Sequence, residues 1–260
     1  MVPCYPLVKI DEITIPQLAS ICDHTFLKTE DYYLEEAKEL GISSVRLREE
    51  RFGDFLRNTV SNVNKLPYAV CVRPRDLCLA SGTTWPYIRL VSVVGFPEGF
   101  CPWEFKKGET ELAAYLGADE IDMVLDYDSL KNKELKMGEV FAMRGIEKVS
   151  RCVHEKNLLT KLILETCELN PDQIKRACQM ADELEVDFVK TSTGYGAYGA
   201  RAEDVKIMRD NFSKGVKISG GVNPGNVKGL LYAASGREDG HIELDPMKIR
   251  IGEGSLLDKL

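Results

Sequence analysis

The sequence predicts a single (β/α)8 barrel, the TIM barrel of the α/β class, and three observations carry that prediction. The chain is 260 residues long. Short β-rich runs alternate along it with helical stretches. No glycine-rich dinucleotide fingerprint follows its first strand.

Length comes first. A chain of 260 residues suits one α/β barrel or two small domains, and nothing larger. No repeat, low-complexity tract or linker divides it, so residues 1–260 read as one domain. Apolar residues make up 44%, enough for a substantial core, and the charges are mixed rather than blocked.

The alternation comes second. Candidate strands are AVCV (69–72), IRLVSVVGF (88–96), EIDMVLD (120–126), LTKLILET (159–166), VDFVKTS (186–192), GVKISGG (215–221) and KIRIG (248–252). SICDHT (20–25) is a weaker candidate. Helical stretches between them include 103–117, 138–157, 170–185 and 201–212. Asn170 followed by Pro171 reads as an N-cap with proline at the first helical position. Strands alternating with helices imply a parallel sheet, and eight such strands suit a closed barrel. Segment 30–66 is mostly helical in pattern; Val45 to Leu47 reads either as a barrel strand or as part of an extra helical excursion.

Third, an open doubly wound sheet would want the missing fingerprint. The same absence, with no Walker motif, argues against nucleotide-dependent chemistry.

Composition excludes other classes. The net charge is -7 and no basic stripe stands out, which argues against nucleic acid and anionic membranes as partners. No apolar run approaches the roughly 18 residues of a membrane span. The N-terminal segment MVPCYPLVKIDEITIPQL lacks the basic start and apolar stretch of a signal peptide, which points to the cytoplasm. The eight cysteines (4, 22, 71, 78, 101, 152, 167 and 178) include no C-x2-C pair. They read as buried, reduced thiols rather than as a zinc site or a disulfide framework.

Chemistry in a barrel sits at the C-terminal ends of its strands. Three ionisable residues stand in apolar strand contexts there: Asp122 in EIDMVLD, Lys190 at the end of DFVK, and Lys217 in GVKISGG. Alternation puts Phe188 and Lys190 on one face, and Asp122 and Val124 on one face. Each alone reads as a strand-end charge or a simple ion pair. Together they suggest more. A partly buried lysine near a second cation loses affinity for its proton, and the neutral amine can attack a carbonyl while a carboxylate moves protons. The loops STGYG (192–196), SGGVN (219–223) and GEGS (252–255) each follow a strand. Such loops can hold phosphate by backbone N–H groups, and GEGSLLDKL fits the short helix that often accompanies them.

Eight segments in order, DHTFLK, VCVRPRDLCLA, VVGFPEG, GADEIDMVLD, KLILETCEL, DFVKTSTGYG, KISGG and GSLL, resemble the signature segments of deoxyribose-phosphate aldolases, from about Ile21 to Leu257. The resemblance implies a class I, metal-free and cofactor-free aldolase on a (β/α)8 barrel. It would cleave 2-deoxyribose 5-phosphate reversibly to glyceraldehyde 3-phosphate and acetaldehyde. Lys190 would form the Schiff base, Lys217 would lower its pKa, and Asp122 would relay protons. Asp23, Thr25, Cys71 and Thr193 would line the substrate, with Lys161 and Glu165 adding to the polar floor. Gly220, Gly221, Gly254 and Ser255 would hold the phosphate. A metal-dependent aldolase would want clustered ligands, and the three histidines are scattered: His24 beside the pocket, His154 on the surface, His241 in a polar loop.

Several departures bear on the substrate. Arg73 stands where the family more often has Asn or Tyr, and Asn223 and Pro224 stand where it usually has a cation and Thr. Glu253 sits in the phosphate loop, where a carboxylate would repel a dianion unless turned away or paired. GREDGHIELDPMK (236–248) is an acidic insertion. These departures leave room for a class I aldolase acting on an unphosphorylated sugar or another aldehyde, and, further off, for an inactive barrel with a binding role. Scattered surface charge is compatible with a homo-oligomer.

Overall fold

The computed structural model describes residues 5–84, 88–131 and 137–260. Eight parallel strands close a barrel: β2 (Cys22–Phe26), β3 (Ala69–Val72), β4 (Arg89–Val94), β5 (Glu120–Val124), β6 (Leu159–Ile163), β7 (Phe188–Lys190), β8 (Gly215–Ser219) and β10 (Ile249–Glu253), with β10 pairing both β8 and β2. The remaining strands, β1 (Leu7–Lys9) and β9 (His241–Glu243), form a separate antiparallel pair. The predicted (β/α)8 class is therefore the observed one. β3 spans the whole expected run 69–72 and β10 is as long as its run but one residue later, whereas the other six strands are shorter than their runs.

Period-two alternation sorts the strand residues. Val70, Leu90, Ile121, Met123, Leu162, Val189, Val216, Ile218, Ile249 and Ile251 join one large apolar core that includes residues of the surrounding helices. The inward positions fill the barrel itself. Ala69, Cys71, Val91 and Val93 pack there with Leu27. Much of the remaining inward surface carries charge.

Segment 30–66 resolves into helix. Val45 to Leu47 lie in the first turns of helix Ser44–Ser61, not in a strand. Ser43 caps that helix by accepting from the Arg46 N–H at 3.2 Å, and Leu47, Phe52 and Leu56 bury one face at helical spacing. Arg48, also buried there, forms a two-pronged ion pair with Asp76 at the start of the next excursion. That tie replaces strand pairing as the reason for the segment's place. Asn170 caps helix Pro171–Glu183 with a reciprocal capping box through Gln173. The acidic insertion supplies β9, so His241 opens a strand rather than lying in a loop. Beyond the end of β10, GEGSLLDKL contributes only the single 3-10 turn Leu257–Lys259.

The cysteines divide. Cys22, Cys71, Cys152 and Cys178 are buried, Cys167 is half-buried, and Cys78 and Cys101 are exposed; Cys4 lies outside the described residues. The expectation of uniformly buried thiols fails because Cys78 faces outward from its helix and Cys101 sits in the loop after β4.

Candidate active site

The inward charged positions form one continuous network. Asp122 on β5 stands at register with Lys161 on β6, and Lys190 on β7 with Lys217 on β8. Asp122 Oδ1 accepts from Lys161 Nζ at 2.8 Å, and its Oδ2 accepts from both Lys190 Nζ and Lys217 Nζ at 2.8 Å. Lys217 Nζ lies 2.6 Å from Asp23 Oδ2, and Lys161 Nζ 2.5 Å from Glu120 Oε2. Arg250 closes the floor: it pairs with Asp23, donates to Glu120 Oε1 at 2.6 Å, and places its guanidinium 3.6 Å from the Tyr68 ring centre. Gly252 makes room above, since a Cβ there would come within 3.0 Å of Lys217 Cε and 2.9 Å of Ser219 Cβ.

All of these charged groups are essentially sealed from water. Burial alone would push the Asp122 carboxyl up, but Lys161, Lys190 and Lys217 outweigh it and hold the group well below the usual carboxylate range. Burial likewise opposes the charge on Lys217, and Asp122 and Asp23 overcome that, holding its ammonium well above the ordinary lysine value. Lys161 is raised for the same reason, by Asp122 and Glu120 against burial. The network thus holds four basic groups, Lys161, Lys190, Lys217 and Arg250, against three carboxylates, Asp23, Glu120 and Asp122.

A cavity of about 340 Å³ opens above Lys190. Thr25, Thr193, Gly220, Gly221, Gly254 and Ser255 line it with Lys190, as do Leu27, Gly194, Ser219, Val222, Asn223, Gly252, Glu253 and Lys259. The other five expected site residues lie beneath this lining. Asp122 and Lys217 touch Lys190 or its partner carboxylate there. Asp23, Cys71 and Lys161, expected to line the substrate, are instead fully buried, Asp23 and Lys161 because their charges are consumed by the network. Glu165 is one shell away: with φ 52° it turns its buried carboxylate to accept from the Thr193 N–H at 3.1 Å and from the Thr193 hydroxyl. Glu120 and Arg250 fall outside the search of strand C-terminal ends that selects Asp122, because they stand near the starts of β5 and β10.

Three departures take on new meaning. Glu253 follows the outward alternation of β10 and turns to His24, its register partner on β2, at 2.5 Å. Its Oε2 accepts from the Leu256 N–H at 2.6 Å. His24 thus points outside the barrel, stacked on Phe55 with ring centres 4.5 Å apart, and does not line the cavity. Asn223 spends its side chain on its own loop, accepting from the Gly225 N–H and donating to the Gly221 carbonyl. Arg73 donates to the Leu27 carbonyl at 2.8 Å and lies over the Phe96 ring, outside the cavity lining.

Among the described residues, no three His, Cys, Asp or Glu side chains group as metal ligands. His154 instead meets Asp187 at 2.9 Å, and His241 meets the Asp239 carbonyl.

Residues 94–236 match the model of the DeoC/LacD family aldolases. The chain belongs to that family. It is 38% identical to a deoxyribose-phosphate aldolase of Aciduliprofundum boonei over 216 residues, covering 80% of this chain and 84% of the relative. With the enzyme of the same name from Halalkalibacterium halodurans the identity is 35%, over 85% of this chain and 90% of that one. The solved tetrameric deoxyribose phosphate aldolase from Aeropyrum pernix shares the fold, with a TM-score of 0.69 at 23% identity over 96% of this chain and 93% of that one.

Proposed function

We propose that this aldolase-family enzyme is a lyase that cleaves 2-deoxyribose 5-phosphate reversibly to acetaldehyde and glyceraldehyde 3-phosphate through a Schiff base on Lys190. One observation carries the reading: Lys190 Nζ stands at the cavity floor and shares a single carboxylate oxygen, Asp122 Oδ2, with the buried Lys217. Four basic groups face three carboxylates, and the amine that attacks a carbonyl is uncharged, so the reacting form of Lys190 is also the one that balances the floor.

In the cleavage direction, Lys190 Nζ adds to the C1 aldehyde of the open-chain sugar, and loss of water gives an iminium. The C3 hydroxyl gives up its proton, the C2–C3 bond breaks, and its electron pair neutralises the iminium as an enamine. Glyceraldehyde 3-phosphate departs. Protonation of the enamine at C2 and hydrolysis release acetaldehyde and restore the amine. Asp122 is the group placed to take and return protons at Lys190, with Lys217 holding its charge. The glycine loops at Gly220–Gly221 and Gly254–Ser255 supply backbone N–H groups for the phosphate. Gly220 suits the bend, with φ +85°, and its carbonyl accepts from the Ala200 N–H at 3.0 Å.

Glu253, the reason for weighing an unphosphorylated sugar, is paired with His24 and the Leu256 N–H, which reduces that repulsion. The partner is a small sugar phosphate. No described helix is long and apolar enough to cross a membrane, and phosphorylated metabolites as substrates assign the enzyme to the cytoplasm. Borohydride reduction in the presence of acetaldehyde should add one reduced two-carbon unit at Lys190, located by peptide mass spectrometry. A folded preparation in which Lys190 stays unmodified, or in which another lysine carries the adduct, rules the reading out.

A further inference from the structure

The cavity that reaches Lys190 is short of charge for the ligand proposed for it. Its ionisable lining residues are Lys190, Glu253 and Lys259. Lys190 is held by Asp122 at the floor, and Glu253 is turned to His24. Asn223, which lines the cavity from the β8 loop, offers no cation and has its amide committed to Gly221. That leaves Lys259, exposed, on the turn Leu257–Lys259. Of the two cations lining the cavity, Lys190 is paired with Asp122, whereas Lys259 has no ion pair among the described residues.

The turn that carries Lys259 is fixed from behind. Glu253 Oε2 accepts from the Leu256 N–H at 2.6 Å and more weakly from the Leu257 N–H at 3.4 Å. Lys65, from the helical excursion, donates to the Leu257 carbonyl at 2.8 Å. The neighbouring carboxylate, Asp258, opens onto a different cavity with His24 and Lys65 and does not line this one. We infer that Lys259 is the specificity-determining cation of the phosphate end of this cavity, and that Glu253, rather than repelling the ligand, anchors the turn that presents it. A flexible ammonium beside backbone N–H donors acts as a point charge for a dianion. Because Lys259 is solvent-exposed, its pull is open to screening by salt.

The inference rests on the phosphorylated-sugar reading above, and one set of kinetics separates the two. Cleavage of 2-deoxyribose 5-phosphate and of unphosphorylated 2-deoxyribose is compared in the native enzyme, K259A, K259R and K259E. The native enzyme should prefer the phosphorylated sugar, and that preference should shrink as salt rises. In K259A the preference should fall about tenfold, with the loss carried by KM for the phosphorylated sugar, and inorganic phosphate should weaken as a competitive inhibitor in parallel; tenfold corresponds to about 1.4 kcal/mol. K259R should retain most of the preference, and K259E should lose more than K259A. A native enzyme indifferent to the phosphate overturns the substrate reading itself. A native preference that survives unchanged in K259A and K259E overturns the inference alone.

Discussion

The inside of the barrel has two walls of opposite character. On β3 and β4 the inward residues are Ala69, Cys71, Val91 and Val93, packed with Leu27. On β5, β6, β8, β10 and β2 they include Glu120, Asp122, Lys161, Lys217, Arg250 and Asp23, with Lys190 on β7 at the top. Both walls are equally dry. An apolar wall is held by its contacts with any well-shaped neighbour, whereas buried charges are tolerable only with every partner in place. The apolar wall also strengthens the charged one, since it keeps water and its screening away from Asp122. Stability of the barrel and the chemistry proposed at Lys190 therefore depend on the same few ion contacts.

The sharpest way to break that dependence is Asp122→Asn. Its carboxylate serves three ammonium groups at 2.8 Å each. Neutralising it should lower kcat by roughly 10²–10⁴-fold, the range for losing a positioned proton carrier. It should also cost about 3–5 kcal/mol of stability, the range for breaking a buried ion pair. The pH dependence has a defined sign. Burial notwithstanding, the three lysines hold the Asp122 carboxyl well below its ordinary value. Its contribution is then fully present above the unfolded value of about 3.9 and is lost as pH falls toward the lower folded value. Denaturation midpoints of the native protein should fall steeply on acidification below about pH 4, and Asp122→Asn should flatten that limb. Equal stability of the two proteins at neutral pH would contradict the shared dependence.

How much of this was legible beforehand follows from the same division. A charge inside an apolar strand is visible in a sequence, so Lys190, Lys217 and Asp122 could be found from alternation and context. Which face each charge takes depends on the strand's phase. Glu253 illustrates the difficulty: it sits in a glycine-rich loop sequence, yet β10 extends to include it and its side chain points outward to His24. Glu120 is legible in principle by the phase that puts Asp122 inward, whereas Arg250 depends on the separate phase of β10, and a search of strand ends alone passes over both. Val45 to Leu47 went undecided because β-branched and leucine residues suit strand and helix alike; Ser43, the N-cap, settles the matter only once its bond to Arg46 is seen. Asp23 and Lys161 matched lining motifs but are claimed by ion pairs that span the barrel, which local sequence cannot report.

A smaller effect is expected from Arg250→Met, which separates the network's stability from its chemistry. Arg250 bridges Asp23 and Glu120 without lining the cavity. Its loss takes one cation from each of two buried carboxylates, leaving Asp23 with Lys217 and Glu120 with Lys161, at a cost of about 3 kcal/mol read by chemical denaturation. Turnover per folded molecule should fall less than in Asp122→Asn, because Asp122 keeps its three lysines. A larger loss of turnover than in Asp122→Asn would mean that Arg250, not Asp122, governs the reacting amine.

The smallest effect belongs to the apolar wall. Cys71 faces Thr25 across the β2–β3 register and is fully buried. Burial raises its thiol above the ordinary value, and the nearby Lys217 only partly offsets that, so the group stays protonated and behaves as a small hydrophobe. Iodoacetamide at neutral pH should therefore label exposed Cys78 and Cys101 well before Cys71, as peptide mapping over time would record. Cys71→Ala removes one atom from a packed wall and should cost about 1 kcal/mol, close to the value of one buried methylene. Cys71→Asp puts a fourth carboxylate beside the network instead. If the wall's role is to remain uncharged, that variant should be far less stable than Cys71→Ala; comparable stability would show that the floor can absorb charge from either side, and the two walls would then differ in composition but not in function.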